Sequence, residues 1–433
     1  MLNLYFAKDE MKYLKNSFWY LLGSGVQGSI PILVTPIITR SLTPEQFGEY
    51  VLVISAGTVL SFLFALGLSA SLFREVVLGK TPINNILQSL APYRLFLTFM
   101  AILSFLLELI FTEYFNLFFV SLSLGFSLSL ILIQLTIFKA TFQARKFAFT
   151  AVASTVIPLL ILTIISYSYN NNFLINIYVL FVLILATTIG FKSMFQFSRD
   201  WHLLFGKLLK IGSPTLPHDI GMSMLQYVDR IVIAALFGLT IAGQIHVAAL
   251  IGAIPYLLLS TLSNIWAPAV LEKYKIDYAV GTSFLNKTTK IAALGSGFIA
   301  LLITFNSDLL LRLFSPLTAN DPSLNLVVIL MSLSGIIYSA YLRNMHLLTL
   351  AGRFQSLLWI TPTAIASQIL LIYLLSPIYG VLIVAVANLF AISLQAILTQ
   401  YVIKGLYPNF TLTKMPLYLI SFCSVIVIFY LLY

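Results

Sequence analysis

Apolar runs of about 20 residues, the length that crosses a bilayer as a helix, recur from one end of this chain to the other. They lie at 16–39, 47–72, 89–112, 114–138, 147–168, 173–192, 211–237, 241–266, 290–314, 324–349, 356–376, 380–402 and 415–432, thirteen in all. In hydrocarbon no water is available to backbone N–H and C=O groups, so each run must satisfy them within itself. Composition points the same way: 60% of residues are hydrophobic and 9% charged, whereas a soluble domain carries about a quarter charged residues. The expectation is an all-α polytopic membrane protein.

The basic residues then orient it. With the N-terminus in the cytoplasm, 21 of the 24 Lys and Arg fall at inner loops or inner span ends, and only Arg40 and Arg312 fall outside. Retention of basic loops on the cytoplasmic side produces this asymmetry. A net charge of +10 is thereby explained by orientation and contact with anionic lipid, and nucleic acid is not needed as a partner. The run after the basic start has no small-residue cleavage site, so it reads as a first span rather than a removed signal peptide.

Other chemistries find no footing. The single cysteine, Cys423, excludes an internal disulfide and multi-cysteine metal sites. No Gly-rich phosphate loop or nucleophile elbow occurs, and the four histidines are scattered. The outer loops are too short to present catalytic groups, so no enzyme and no cofactor are expected.

The chain also repeats itself. Lys15 and Lys210 precede the first and seventh runs, Gly48 and Gly243 open the second and eighth, and both pairs are 195 residues apart. This divides the chain into an N-terminal six-helix bundle (1–192), a cytoplasmic linker (193–210), a C-terminal six-helix bundle (211–402) and a C-terminal segment with an extra span (403–433). Six spans per half give both halves one orientation, related by a pseudo-twofold axis along the membrane normal.

Polar residues inside spans mark the candidate pathway, because a charge at the bilayer centre is unfavourable by roughly 2.5–3.5 kcal/mol. In "PHDIGMSMLQYVDRIVIAALFG" (217–238), Asp219, Ser223, Gln226 and Arg230 share one helical face. Asp219 or Asp229 is expected to take part in ion coupling, and Arg230 to meet anionic substrate or gate the outer end. A structural ion pair is the competing reading. Arg343 offers a bidentate fork to a diphosphate. Arg74 and Arg94, at inner ends, are expected to snorkel to the surface. Arg74 could also meet the diphosphate as it comes in. Gln27, among small residues in the first span, is a candidate sugar contact, and His246 reads chiefly as a packing residue. Arg40, Glu45 and Glu49 are expected to fix the first outer turn.

Residues 14–75 carry a likeness. Lys15–Asn16 before the first span, the turn Arg40 to Tyr50, Leu66–Gly67–Leu68 and Arg74 resemble the opening of polysaccharide flippases of the multidrug/oligosaccharidyl-lipid/polysaccharide exporter superfamily. Pro217, Asp229–Arg230 and "LAGRFQ" (350–355) match further parts of that pattern. The resemblance implies a MATE-like fold of twelve core spans. It also implies translocation of undecaprenyl-diphosphate-linked oligosaccharide, of O-antigen or capsule type, across a bacterial plasma membrane by alternating access. H+ or Na+ is then the coupling ion to consider, and a glycan polymerase of the same pathway the protein partner. A cation-coupled multidrug antiporter of the same fold is the alternative.

Overall fold

The computed structural model describes residues 2–77, 81–110, 116–168, 174–318, 321–350 and 353–406. Two compact units divide the chain at Ile231 and Val232. The first holds α1 (Leu2–Ser41), α2 (Pro44–Ala65), α3 (Leu68–Val77), α4 (Ile83–Ile110), α5 (Asn116–Ala140), α6 (Ala144–Ser168), α7 (Leu174–Ile189), α8 (Phe191–Met194) and α9 (Trp201–Gly212). It ends within α10 (Leu216–Phe237). The second holds α11 (Leu239–Gly252), α12 (Ile254–Ile276), α13 (Tyr278–Phe305), α14 (Ser307–Phe314), α15 (Pro322–Leu350), α16 (Leu357–Tyr379) and α17 (Leu382–Leu406).

Among the described residues, ten helices are long and apolar enough to cross a bilayer, and the bent pair α11–α12 makes an eleventh. The shorter apolar α7 falls on the sixth run. Within the described residues, each of the first twelve runs falls on one or more helices. The thirteenth, 415–432, lies outside the described residues.

Several runs read as single spans are broken. The second is interrupted at Leu66 and Gly67, with φ of 53° and 68°. Leu66 closes α2 as its left-handed cap, its N–H donating to Leu63 O. Gly67 is needed twice over: its φ is positive, and an added Cβ would sit 2.1 Å from Gly212 O. The eighth run bends by 53° between α11 and α12, where Pro255 occupies the first turn of α12. The inner connection expected over 267–289 is itself almost wholly helical. α12 runs to Ile276, and Asp277 caps α13 by accepting from Ala279 N.

In each unit one helix is the hub. α5 packs against α2, α3, α4, α6 and α7, and α15 against α11, α12, α13 and α17. Each is the fourth apolar run of its half. The seam between α2 and α5 is made by small residues. A Cβ on Gly125 would come within 2.8 Å of Leu60 Cβ, and one on Gly57 within 2.8 Å of Leu124. Ser121, Ser127 and Ser129, buried on α5, donate to the α5 carbonyls of Leu117, Ser123 and Phe126. Large apolar side chains such as Phe149, Ile378 and Tyr401 point outward, more than 70% exposed, as a surface solvated by lipid requires.

Candidate polar site on α10

The polar stripe of the seventh run lies on α10. At its N-terminal end Asp219 Oδ2 stands 3.1 Å from Thr215 Oγ1, which is also 2.9 Å from Gly212 O. A hydroxyl has one proton to donate, so Thr215 serves either the carboxylate or the carbonyl. One turn on, Ser223 is buried and donates to Ile220 O. Gln226 is half-buried.

At the other end of the stripe Arg230 Nη1 lies 2.7 Å from Asp229 Oδ1, which also accepts from the Arg230 backbone N. Asp229 is 0% exposed and Arg230 6%. The guanidinium stands 5.8 Å from the Tyr227 ring centroid, a cation–π contact. Tyr227 in turn is close to Tyr50 of α2 and Tyr178 of α7, which meet edge to face at 5.9 Å. The structural ion pair weighed from sequence is therefore present. A buried charge left single is strongly destabilising, and a paired one is tolerable.

The remaining candidates lie on other helices. Gln27 is half-buried on α1, and Arg74 is exposed in the last turn of α3. In the second unit His246 is buried on α11 and Arg343 on α15. Arg343 Nε donates to Asn286 Oδ1 at 2.7 Å, so part of its fork is already engaged within its own unit. Its neighbour Asn344 donates to Ala396 O and Thr399 Oγ1. The turn between α1 and α2, expected to be the first outer one, is fixed by Arg40, which donates to Pro36 O, and by a capping box in which Thr43 and Gln46 exchange side-chain and backbone bonds. Glu45 and Glu49 instead line a polar cavity of about 500 Å³ with Thr43, Gln46, Asn116, Leu117, Ile175 and Asn176.

Arg94 corrects an expectation. It does not snorkel: it is 1% exposed, and Nη2 donates to Gln134 Oε1 at 3.0 Å. Its guanidinium lies over Gly190, where a Cβ would collide with it at 1.4 Å. Three more polar contacts, each with at least one buried partner, went unread in the sequence. Glu108 accepts from Asn176 at 2.6 Å, Glu75 pairs with Lys207 at 2.7 Å, and Ser263 meets His346 at 2.9 Å. The available signal was a carboxylate set in apolar surroundings, as in "SFLLELIF" (104–111). Among the described residues, no three His, Cys, Asp or Glu side chains group so as to hold a metal ion.

Residues 13–273 match the family described as polysaccharide biosynthesis protein. No curated protein matches the chain. Among solved structures, the lipid II flippase MurJ in an inward closed conformation is 15% identical, with a TM-score of 0.68 over 96% of this chain and 97% of that one. An outward-facing multidrug resistance MATE transporter of the MOP superfamily is 13% identical, with a TM-score of 0.63 over 92% and 96%. A Vibrio cholerae MATE transporter is 11% identical, with a TM-score of 0.64 over 93% and 97%. At such identities the likeness is one of fold.

Proposed function

Because the chain belongs to the polysaccharide biosynthesis protein family, we propose that it is a flippase for a lipid-linked oligosaccharide. In this reading it moves an undecaprenyl-diphosphate-linked repeat unit, of O-antigen or capsule type, between the leaflets of a bacterial plasma membrane by alternating access. The observation that carries the proposal is the polar stripe of α10. A carboxylate, a buried hydroxyl, an amide and a guanidinium are set along one largely apolar helix, in a chain with the fold of a membrane transporter. Ionisable groups at such depth mark substrate or ion paths.

Within this proposal Asp219 takes the coupling role, H+ or Na+ being the ion. Its Thr215 partner can turn instead to Gly212 O, so the carboxylate can exchange a hydroxyl for a cation without stranding that hydroxyl. An ion drives the cycle only by binding one conformation better than another. Arg230, neutralised by Asp229 and lying over Tyr227, suits a neutral sugar better than a bare phosphate. Arg343 and the exposed Arg74 retain the cationic role towards the diphosphate.

The test is deletion of the gene in its host, followed by assay of surface glycan and of lipid-linked repeat units. Loss of surface glycan with repeat units accumulating on the cytoplasmic leaflet is the expected result. Undiminished surface glycan combined with new sensitivity to cationic dyes would instead support the multidrug antiporter.

A further inference from the structure

Trp201–Phe237 forms a stretch of 37 residues from α9 through α10. A bilayer core takes about 20 residues of helix, so this stretch is too long to lie wholly within it. Its start, which carries Lys207 and Lys210, is the part that belongs outside. α9 does not float free there. Lys207 Nζ lies 2.7 Å from Glu75 Oε2 on α3, and Thr81 Oγ1 lies 3.4 Å from the same oxygen. At the far end of α9, Gly212 and Gly67 meet backbone to backbone: a Cβ on either would fall within 2.4 Å of the other's carbonyl oxygen.

Two features make this joint separable. Glu75 is 2% exposed while the Lys207 side chain is 49% exposed, so the ammonium already touches water and can exchange the carboxylate for it. The glycine seat has no side chains on either glycine to interlock. Where the joint sits also matters. Gly212 leads through a single 3-10 turn, Ser213–Thr215, into α10, and Thr215 bridges Gly212 O and Asp219. The chain passes from the first unit to the second within α10, so α9 leads directly into the helix on which the units divide.

We propose that α9 is a releasable strap, clasped to α3 by Glu75–Lys207 and seated on the Gly67–Gly212 contact, that holds the base of α10 and must lift and re-seat in each transport cycle. The proposal rests on the flippase reading for what drives the cycle. The clasp itself stands on the geometry above.

The strap is tested with a reporter on its buried face. Leu208 is 0% exposed, and Leu208→Cys in a Cys423→Ser background offers one thiol to a water-soluble maleimide. Inside-out vesicles are prepared from cells that make the lipid-linked cargo and from cells lacking the transferase that attaches its first sugar. Labelling is expected to be slow without cargo and at least several-fold faster with it. Lys207→Met should make it fast in both, and the reversal Glu75→Lys with Lys207→Glu should restore the dependence on cargo. Equal labelling with and without cargo in the parent, or no effect of Lys207→Met, would overturn the strap. Should Lys207→Met fail to reach the membrane, the cargo comparison in the parent and the double reversal still decide. Surface glycan that survives gene deletion sinks the flippase reading in a separate strain, and the effect of Lys207→Met on labelling then decides the clasp by itself.

Discussion

Arg94 and Asp219 are both polar residues in apolar helices, and their partners separate them. Arg94 is walled in by Gln134 and the backbone at Gly190, which assigns it to holding α4, α5 and the end of α7 together. Gln134→Leu removes an acceptor from a buried cation and should lower stability by about 1.5–3 kcal/mol. Thermal unfolding in detergent micelles would show this as a lowered midpoint, and an unmoved midpoint would count against it. Asp219 is met by the Thr215 hydroxyl, a partner that can turn away, so Asp219→Asn should abolish surface glycan while membrane protein level stays normal. Normal glycan in that variant would remove the coupling role. The sequence reading set Arg94 at a span end, to snorkel, and Asp219 within a span, and it could not show that Arg94 has a buried partner. Gln134 lies 40 residues beyond Arg94, and helical periodicity carries no information across that gap. The Asp229–Arg230 pair was legible because its partners are adjacent in the chain.

Helices were read well as apolar runs and poorly as units with ends. The breaks after Ala65 and at Ala253 carry no run of polar residues. They follow from a left-handed leucine, a glycine pressed against a distant glycine and a proline that opens the next helix, and contacts between remote segments decide the first of these. Gly67→Ala should therefore destabilise by more than ~1 kcal/mol, because it adds a steric clash with Gly212 to a positive φ. Gly125→Ala should push α2 and α5 apart and destabilise by about 1–3 kcal/mol, as overpacking does. One helix start rests on local bonds: Thr43-Pro-Glu-Gln forms a capping box, where the sequence reading had singled out Arg40, Glu45 and Glu49. Thr43→Ala should lose about 1 kcal/mol. Equilibrium unfolding of the purified variants checks all three, and their order, with Gly67→Ala exceeding Thr43→Ala, is the sharper test.

For the molecule as a whole, the apolar runs and the family likeness led to a transporter fold that the structural matches share. Orientation rests on charge counting, and it yields a direct prediction. Alkaline phosphatase fused within 40–46 should be active and fused within 195–200 inactive; the reverse pattern would invert the topology. Buried polar contacts inside each unit were the least legible part, since they join segments that are distant in sequence. Ser121, Ser127 and Ser129 of α5, unlike Ser123, which donates to Ala101 O of α4, have a consequence at this scale. By turning their hydroxyls back upon their own helix, they leave the α2–α5 seam to close contact between surfaces, with little directional bonding to break or re-form. Such a joint is indifferent to salt and acidity but unforgiving of one extra methyl group. It resists compression as a dry stone wall does, and a body built around it can be pushed from one end and move at the other.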